Sequence, residues 1–254
     1  FSVPRSVQQS IPVKCIYGDG IWQVGRKHSR TWRFSDVNYA AASDEDRRSI
    51  FLSYGGVLNS LPTDAAAKIK VACVGVSLTE GYTSTGANSG KKGPNAYPAR
   101  LQSLLGSGYE VKNFGETGAF LMEGTSNPYK SGTEYEQSKA YNADIVIIML
   151  GTNDSKNWNE ENYKTQMTAF YNEYKTENNR VIFAMSPKCY QTTGNDITQE
   201  KVEKVYQAQK ALIKENAAWD FIDMYGKTEG KENLYNTDKV HFTDAGYLYI
   251  AECM

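Results

Sequence analysis

The chain has 254 residues, 40% of them hydrophobic and 22% charged, the balance of a globular protein long enough for one sizeable core. Its 28 basic residues face 29 acidic ones, a net charge of −1, so no field of one sign is available to grip nucleic acid or an anionic membrane. The longest apolar run, residues 145–150, is far too short to cross a bilayer.

The four cysteines, Cys15, Cys73, Cys189 and Cys253, form no C-x-x-C pair, and only His28 and His241 exist to join them. Neither a disulfide scaffold nor a zinc site is expected, and the thiols read as buried or half-buried. The chain opens on Phe1 without a signal-peptide pattern, which reads as a processed or trimmed product and leaves the compartment open.

Residues 1–67 read as an appendage. Residues 11–15 and 21–24 flank Tyr17-Gly18-Asp19-Gly20 as a hairpin, and Ser43-Asp44-Glu45-Asp46 caps a helix running to Leu61. These pieces are too few to make a core of their own.

Residues 68–254 read as one catalytic-size domain in which strands and helices alternate. The expected strands are 69–75, 109–114, 144–150, 180–185 and 221–225. The expected helices are 98–105, opened by Pro98 and stopped by Gly106, then 134–142, 160–177, 198–216 and one starting near Thr243. The unbroken apolar run of 145–150 fits a strand buried on both faces. The alternation predicts a three-layer α/β/α sandwich around a parallel sheet, with the loops after the strand C-termini along one edge.

Polar residues gather at that edge. Gly75-Val76-Ser77 ends the first strand of the domain, Asn113-Phe114-Gly115 the second, and Gly151-Thr152-Asn153-Asp154 follows the third. Asp238-Lys239-Val240-His241 precedes the last helix, with a carboxylate three residues before the histidine. A serine hydroxyl needs a base to become a nucleophile, and a carboxylate can fix the tautomer of that base. Two histidines could serve as that base: His241, with its carboxylate three residues upstream, and His28, in a basic, surface-like stretch. Thr79 occupies the place of the second glycine of a G-x-S-x-G elbow, and the 89–93 loop lacks phosphate-loop spacing.

These four blocks, in this order, resemble the SGNH or GDSL-like serine esterase superfamily over residues 68–254. The resemblance implies a flavodoxin-like fold, Ser77 as nucleophile, His241 as base and Asp238 as its orienting acid. It implies an oxyanion hole made by the N–H of Ser77, the N–H of Gly115 and the side chain of Asn153. It calls for no metal and no cofactor. Asp154 is expected to hold its loop rather than act in catalysis. Hydrolysis of short acyl esters follows, acetyl on carbohydrate first, with a lipid or aryl esterase or a thioesterase as the alternative within the class. The eighteen tyrosines, and Trp158 beside the oxyanion loop, leave room for a sugar-stacking floor.

One residue departs from the family pattern. The family places Asp before the nucleophile, where it orders the loop, and here Val76 stands there. Val76→Asp is therefore expected to raise kcat on a small acetate ester, and Val76 lends weight to the rival reading of a non-catalytic binding or assembly module.

Residues 3–12, residues 31–40 and the helix to Leu61 resemble the N-terminal part of conjugation ATPases of type IV secretion systems, without their nucleotide motifs. That resemblance implies a gene fusion joined near residues 67–70 and a structural add-on that could let the chain associate with a second copy.

Overall fold

The computed structural model describes residues 13–16, 21–24 and 27–30 as strands, and residues 68–86, 91–194 and 196–254 in full. The expected helix of residues 43–61, the ATPase-like stretches 3–12 and 31–40, and part of the 89–93 loop lie outside the described residues. The chain divides into two compact units, Phe1–Ala65 and Ala66–Met254.

In the first unit, β1 (Val13–Ile16), β2 (Ile21–Val24) and β3 (Lys27–Arg30) form an antiparallel sheet in that order. The hairpin is the expected one. The third strand is an addition: His28, read as a surface residue, sits in β3 opposite Gln23.

In the second unit, β4 (Ile69–Gly75), β5 (Tyr109–Gly115), β6 (Ile145–Met149), β7 (Arg180–Ala184) and β8 (Asp220–Ile222) form one sheet. All its pairs are parallel and the order is β5-β4-β6-β7-β8. The helices are α1 (Ser77–Glu80), α2 (Tyr97–Leu105), α3 (Thr133–Ala140), α4 (Glu160–Tyr174), α5 (Gln199–Glu215), α6 (Met224–Thr228) and α7 (Asp244–Cys253).

The period-two alternation of the strands sorts their side chains to two faces. Ala72, Val74, Val146, Ile148, Val181 and Phe183 pack with Tyr163, Met167, Phe170 and Tyr174 of α4 and Val205 and Leu212 of α5. Val71, Cys73, Ile147, Met149 and Ile182 pack with Tyr97 and Leu101 of α2 and Tyr247 and Ile250 of α7. Two apolar clusters back to back on one sheet make the three layers.

Local chemistry explains the element ends. Thr198 caps α5 by accepting from the Lys201 N–H, and Thr243 caps α7 by accepting from the Gly246 N–H. The last expected strand is cut short. Asp223 accepts from the Gly226 N–H and starts α6, so Met224 and Tyr225 are helical rather than extended.

The strand order has one consequence for function. From β4 the chain goes first to β5 on one side, then to β6 on the other. The C-terminal ends of β4 and β6 therefore flank a topological switch point, where open α/β sheets place their binding crevice. Gly75 pairs with both Gly115 and Met149, so three strands end at one level there.

Candidate active site

Ser77 stands two residues past β4, as the first residue of α1. The backbone turns sharply because Thr79 and Glu80 donate their N–H groups to the Val76 carbonyl, at 2.8 and 2.9 Å. Ser77 itself is 6% exposed, and its Oγ lies 2.9 Å from His241 Nε2.

His241 is held by the turn before α7. Asp238 Oδ1 accepts the N–H groups of Val240 and His241, at 3.0 and 2.9 Å, and Asp238 Oδ2 lies 2.6 Å from His241 Nδ1. Lys239, between them, takes a left-handed conformation with φ 57°. Burial pushes the Asp238 carboxyl up, but the amides of His241 and Val240 and the His241 ring outweigh it and hold it below the usual carboxylate value. An ionised Asp238 on Nδ1 keeps the imidazole proton there and leaves the Nε2 lone pair facing the Ser77 hydroxyl. Tyr82 leans on the other side of the ring, with centroids 4.7 Å apart. Its carbonyl accepts from Tyr247 Oη at 2.6 Å.

Thus Ser77, His241 and Asp238, 164 residues apart in sequence at their widest contact, come together in one hydrogen-bonded chain.

Asn153 is buried after β6, and its Nδ2 donates to the Ala119 carbonyl at 2.8 Å. An amide nitrogen carries two hydrogens, so one remains for a ligand. The Ser77 N–H makes no hydrogen bond to another described residue. Gly115 is different. Its N–H donates to Asn113 Oδ1 at 2.9 Å, so it is not a free oxyanion donor. Glycine is required at this position for another reason: a β-carbon would overlap the Glu80 amide of α1.

Three residues on, Gly118 adopts φ 82°, has open space where a β-carbon would be, and donates no hydrogen bond to another described residue. It precedes Ala119, the partner of Asn153. Among the described residues the Gly118 N–H is thus unengaged where that of Gly115 is not. The sequence Asn113-Phe114-Gly115-Glu116-Thr117-Gly118 contains both glycines, and only the fold tells which amide is taken.

The loop that carries Gly118 is pinned along its length. Glu80 Oε2 accepts the Thr117 N–H at 2.9 Å, and Asp154 accepts the Leu121 and Met122 N–H groups at 3.1 and 2.8 Å. Asp154 thus holds its loop as expected. Burial pushes its carboxyl up to about 6, against the pull of those amides.

Trp158 is partly buried and tilts against Tyr163, with centroids 5.2 Å apart. It packs at the margin of the core. Cys73 and Cys189 are buried free thiols and Cys253 is half-buried. Burial raises Cys73 to about 12 and Cys189 to about 11, which makes them poor nucleophiles.

Residues 73–248 match the GDSL-like Lipase/Acylhydrolase family. The chain belongs to that family. Among relatives of this GDSL-like chain is an acetylxylan esterase from Xylanibacter ruminicola, 34% identical over 159 residues, which are 63% of this chain and 30% of that protein. The chain therefore spans less than a third of that relative's length.

Solved structures similar to the GDSL-like unit include a lipase/acylhydrolase from Enterococcus faecalis, at 18% identity and a TM-score of 0.57 over 72% of this chain and 92% of that one. An acetylxylan esterase from Geobacillus stearothermophilus is similar at 20% identity and a TM-score of 0.56, over 72% of this chain and 91% of that one. At these identities the likeness is one of fold.

Proposed function

We propose that the protein is a serine esterase that removes short acyl groups, acetyl above all, from carbohydrate. The observation that carries the reading is the unbroken contact chain Ser77 Oγ to His241 Nε2 at 2.9 Å and His241 Nδ1 to Asp238 at 2.6 Å. Family membership agrees with it, and the curated relative named as an acetylxylan esterase supports the acetyl and carbohydrate parts.

In this mechanism Ser77 Oγ attacks the ester carbonyl carbon while His241 Nε2 takes its proton. The N–H groups of Ser77 and Gly118 and the second Nδ2 hydrogen of Asn153 receive the oxyanion. Preorganised donors of this kind are worth roughly 3–4 kcal/mol of barrier each. The tetrahedral adduct collapses, the alcohol leaves with the proton from His241, and the acyl group stays on Ser77. Water, deprotonated by His241, then attacks the acyl-enzyme and returns Ser77 and a carboxylic acid. Asp238 orients the ring and stabilises its protonated form throughout.

A panel of p-nitrophenyl acetate, butyrate and octanoate with acetylated xylan tests the substrate class. The reading expects acetate to exceed octanoate and acetyl release from xylan. Preference for octanoate with no release from xylan would favour a lipid esterase.

We also infer that residues 1–67, similar to the N-terminal part of a conjugation ATPase, are an attached structural element that associates copies of the chain and adds no second activity.

A further inference from the structure

A cavity of about 290 Å³ abuts the His241–Asp238 pair on the side of the β7–α5 loop, and Gln191, Asp196, Ile197, Asp238, Val240 and His241 line it. Its size is near the low end of small-molecule pockets, which run from about 300 to 1,000 Å³, so it suits one small ring rather than a long chain.

Its walls are of two kinds. Ile197 and Val240 are apolar, while Gln191 offers an amide donor and acceptor and Asp196 a carboxylate acceptor. The described residues of the loop bond through other atoms. The Gln191 N–H meets Cys189 Sγ at 3.4 Å, the Gln191 carbonyl accepts from the Gln199 N–H at 2.7 Å, and the Asp196 carbonyl accepts from Lys201 Nζ at 3.1 Å. The Tyr190 N–H fastens the loop to the catalytic turn at the Lys239 carbonyl, at 2.9 Å. The side chains of Gln191 and Asp196 hydrogen-bond to no other described residue, so they remain open to a ligand.

We propose that this cavity is the subsite for the sugar ring that carries the acyl group, with Gln191 and Asp196 as partners of its free hydroxyls. The inference rests on the esterase reading above. In that reading the leaving alkoxide takes its proton from His241 Nε2, so the alcohol half of the ester lies beside His241, a residue that lines this cavity. A sugar ring has C–H faces for Ile197 and Val240 and hydroxyl edges for Gln191 and Asp196. A lipid alcohol would press methylene groups onto the Asp196 carboxylate and desolvate it without a partner, which is costly.

Two variants of opposite sense test the subsite in the full chain: the pair Gln191→Ala with Asp196→Ala, which removes the polar partners, and Ile197→Trp, which fills the space. The measured quantity is the ratio of kcat/KM for acetylated xylooligosaccharides to kcat/KM for p-nitrophenyl acetate, whose flat aryl leaving group has no hydroxyls to match. Loss of the two hydrogen bonds lowers the ratio roughly tenfold or more, through KM, and filling the space lowers kcat/KM for the xylooligosaccharides by a similar factor. A ratio that holds in the double alanine variant, or an unchanged kcat/KM for the xylooligosaccharides in Ile197→Trp, overturns the subsite while leaving the esterase reading intact. If the parent protein hydrolyses neither ester, the esterase reading fails, and the subsite fails with it.

Discussion

Val76 and Ser77 are adjacent, and the backbone sends them to opposite environments. Ser77 turns toward His241, while Val76, 1% exposed, joins the apolar cluster on the α4 and α5 face of the sheet. The loop order that an aspartate provides elsewhere in the family comes here from main-chain bonds to the Val76 carbonyl and from Asn113, Glu80 and Asp154 on neighbouring segments. This burial argues against the expectation that Val76→Asp would raise kcat. Val76 packs among apolar side chains, and burying an unpaired carboxylate costs several kcal/mol. Urea denaturation of Val76→Asp should show a stability loss of about 3 kcal/mol or more with no gain in kcat on p-nitrophenyl acetate. Wild-type stability with a higher kcat would restore the earlier expectation. Ser77, Asp238 and His241 were legible because each stands just past a strand end or before the last helix, and only two histidines offer a base. The engagement of the Gly115 N–H was not, because it depends on the Asn113 rotamer.

At the scale of elements, the β5–α3 loop is what the site leans on. It has no helix or strand of its own near Gly118, yet side chains of α1, α4 and the β6–α4 connection pin its amides. Asp154 supplies two of these bonds from a fully buried position. Asp154→Asn turns one acceptor oxygen into a donor facing another N–H, and such a mismatch costs about 1–3 kcal/mol. The pH dependence adds a sign. The Asp154 carboxyl is raised to about 6 in the folded chain, so its contribution to stability is fully present below the ordinary carboxylate value of 3.8 and is lost as pH rises through about 6. The destabilisation caused by Asp154→Asn, measured by thermal unfolding, is therefore larger at pH 4 than at pH 7, and an equal or smaller loss at pH 4 would contradict the account. Element positions were mostly readable from period and caps. One exception, residues 224–225, turned helical because Asp223 competes for the backbone as a cap, a local effect that an apolar run conceals.

For the whole molecule, the sheet order decides where chemistry can happen. The reversal of direction after β5 opens the crevice between β4 and β6, and the two strands deliver Ser77 and Asn153 to its edges. The last helix then carries the Asp238–His241 turn to the same edge, through Thr83, whose Oγ1 donates to the Phe242 carbonyl at 3.0 Å, and Asn236, whose Nδ2 donates to it at 2.7 Å. This topology was expected from the strand–helix alternation, whereas the cavity beside His241 was not, since Gln191 and Asp196 lie on a loop with no periodic pattern. If the first unit associates copies of the chain, sedimentation velocity of the full chain returns a dimer or larger species at micromolar concentration, and a monomer at all concentrations would contradict that role. The central claim is that Ser77 is the nucleophile. Its most direct test is to treat the intact protein with a fluorophosphonate and locate the adduct by peptide mass mapping. The account predicts one adduct, on Ser77, together with loss of p-nitrophenyl acetate hydrolysis. An unlabelled Ser77, or full hydrolysis after labelling, would contradict it.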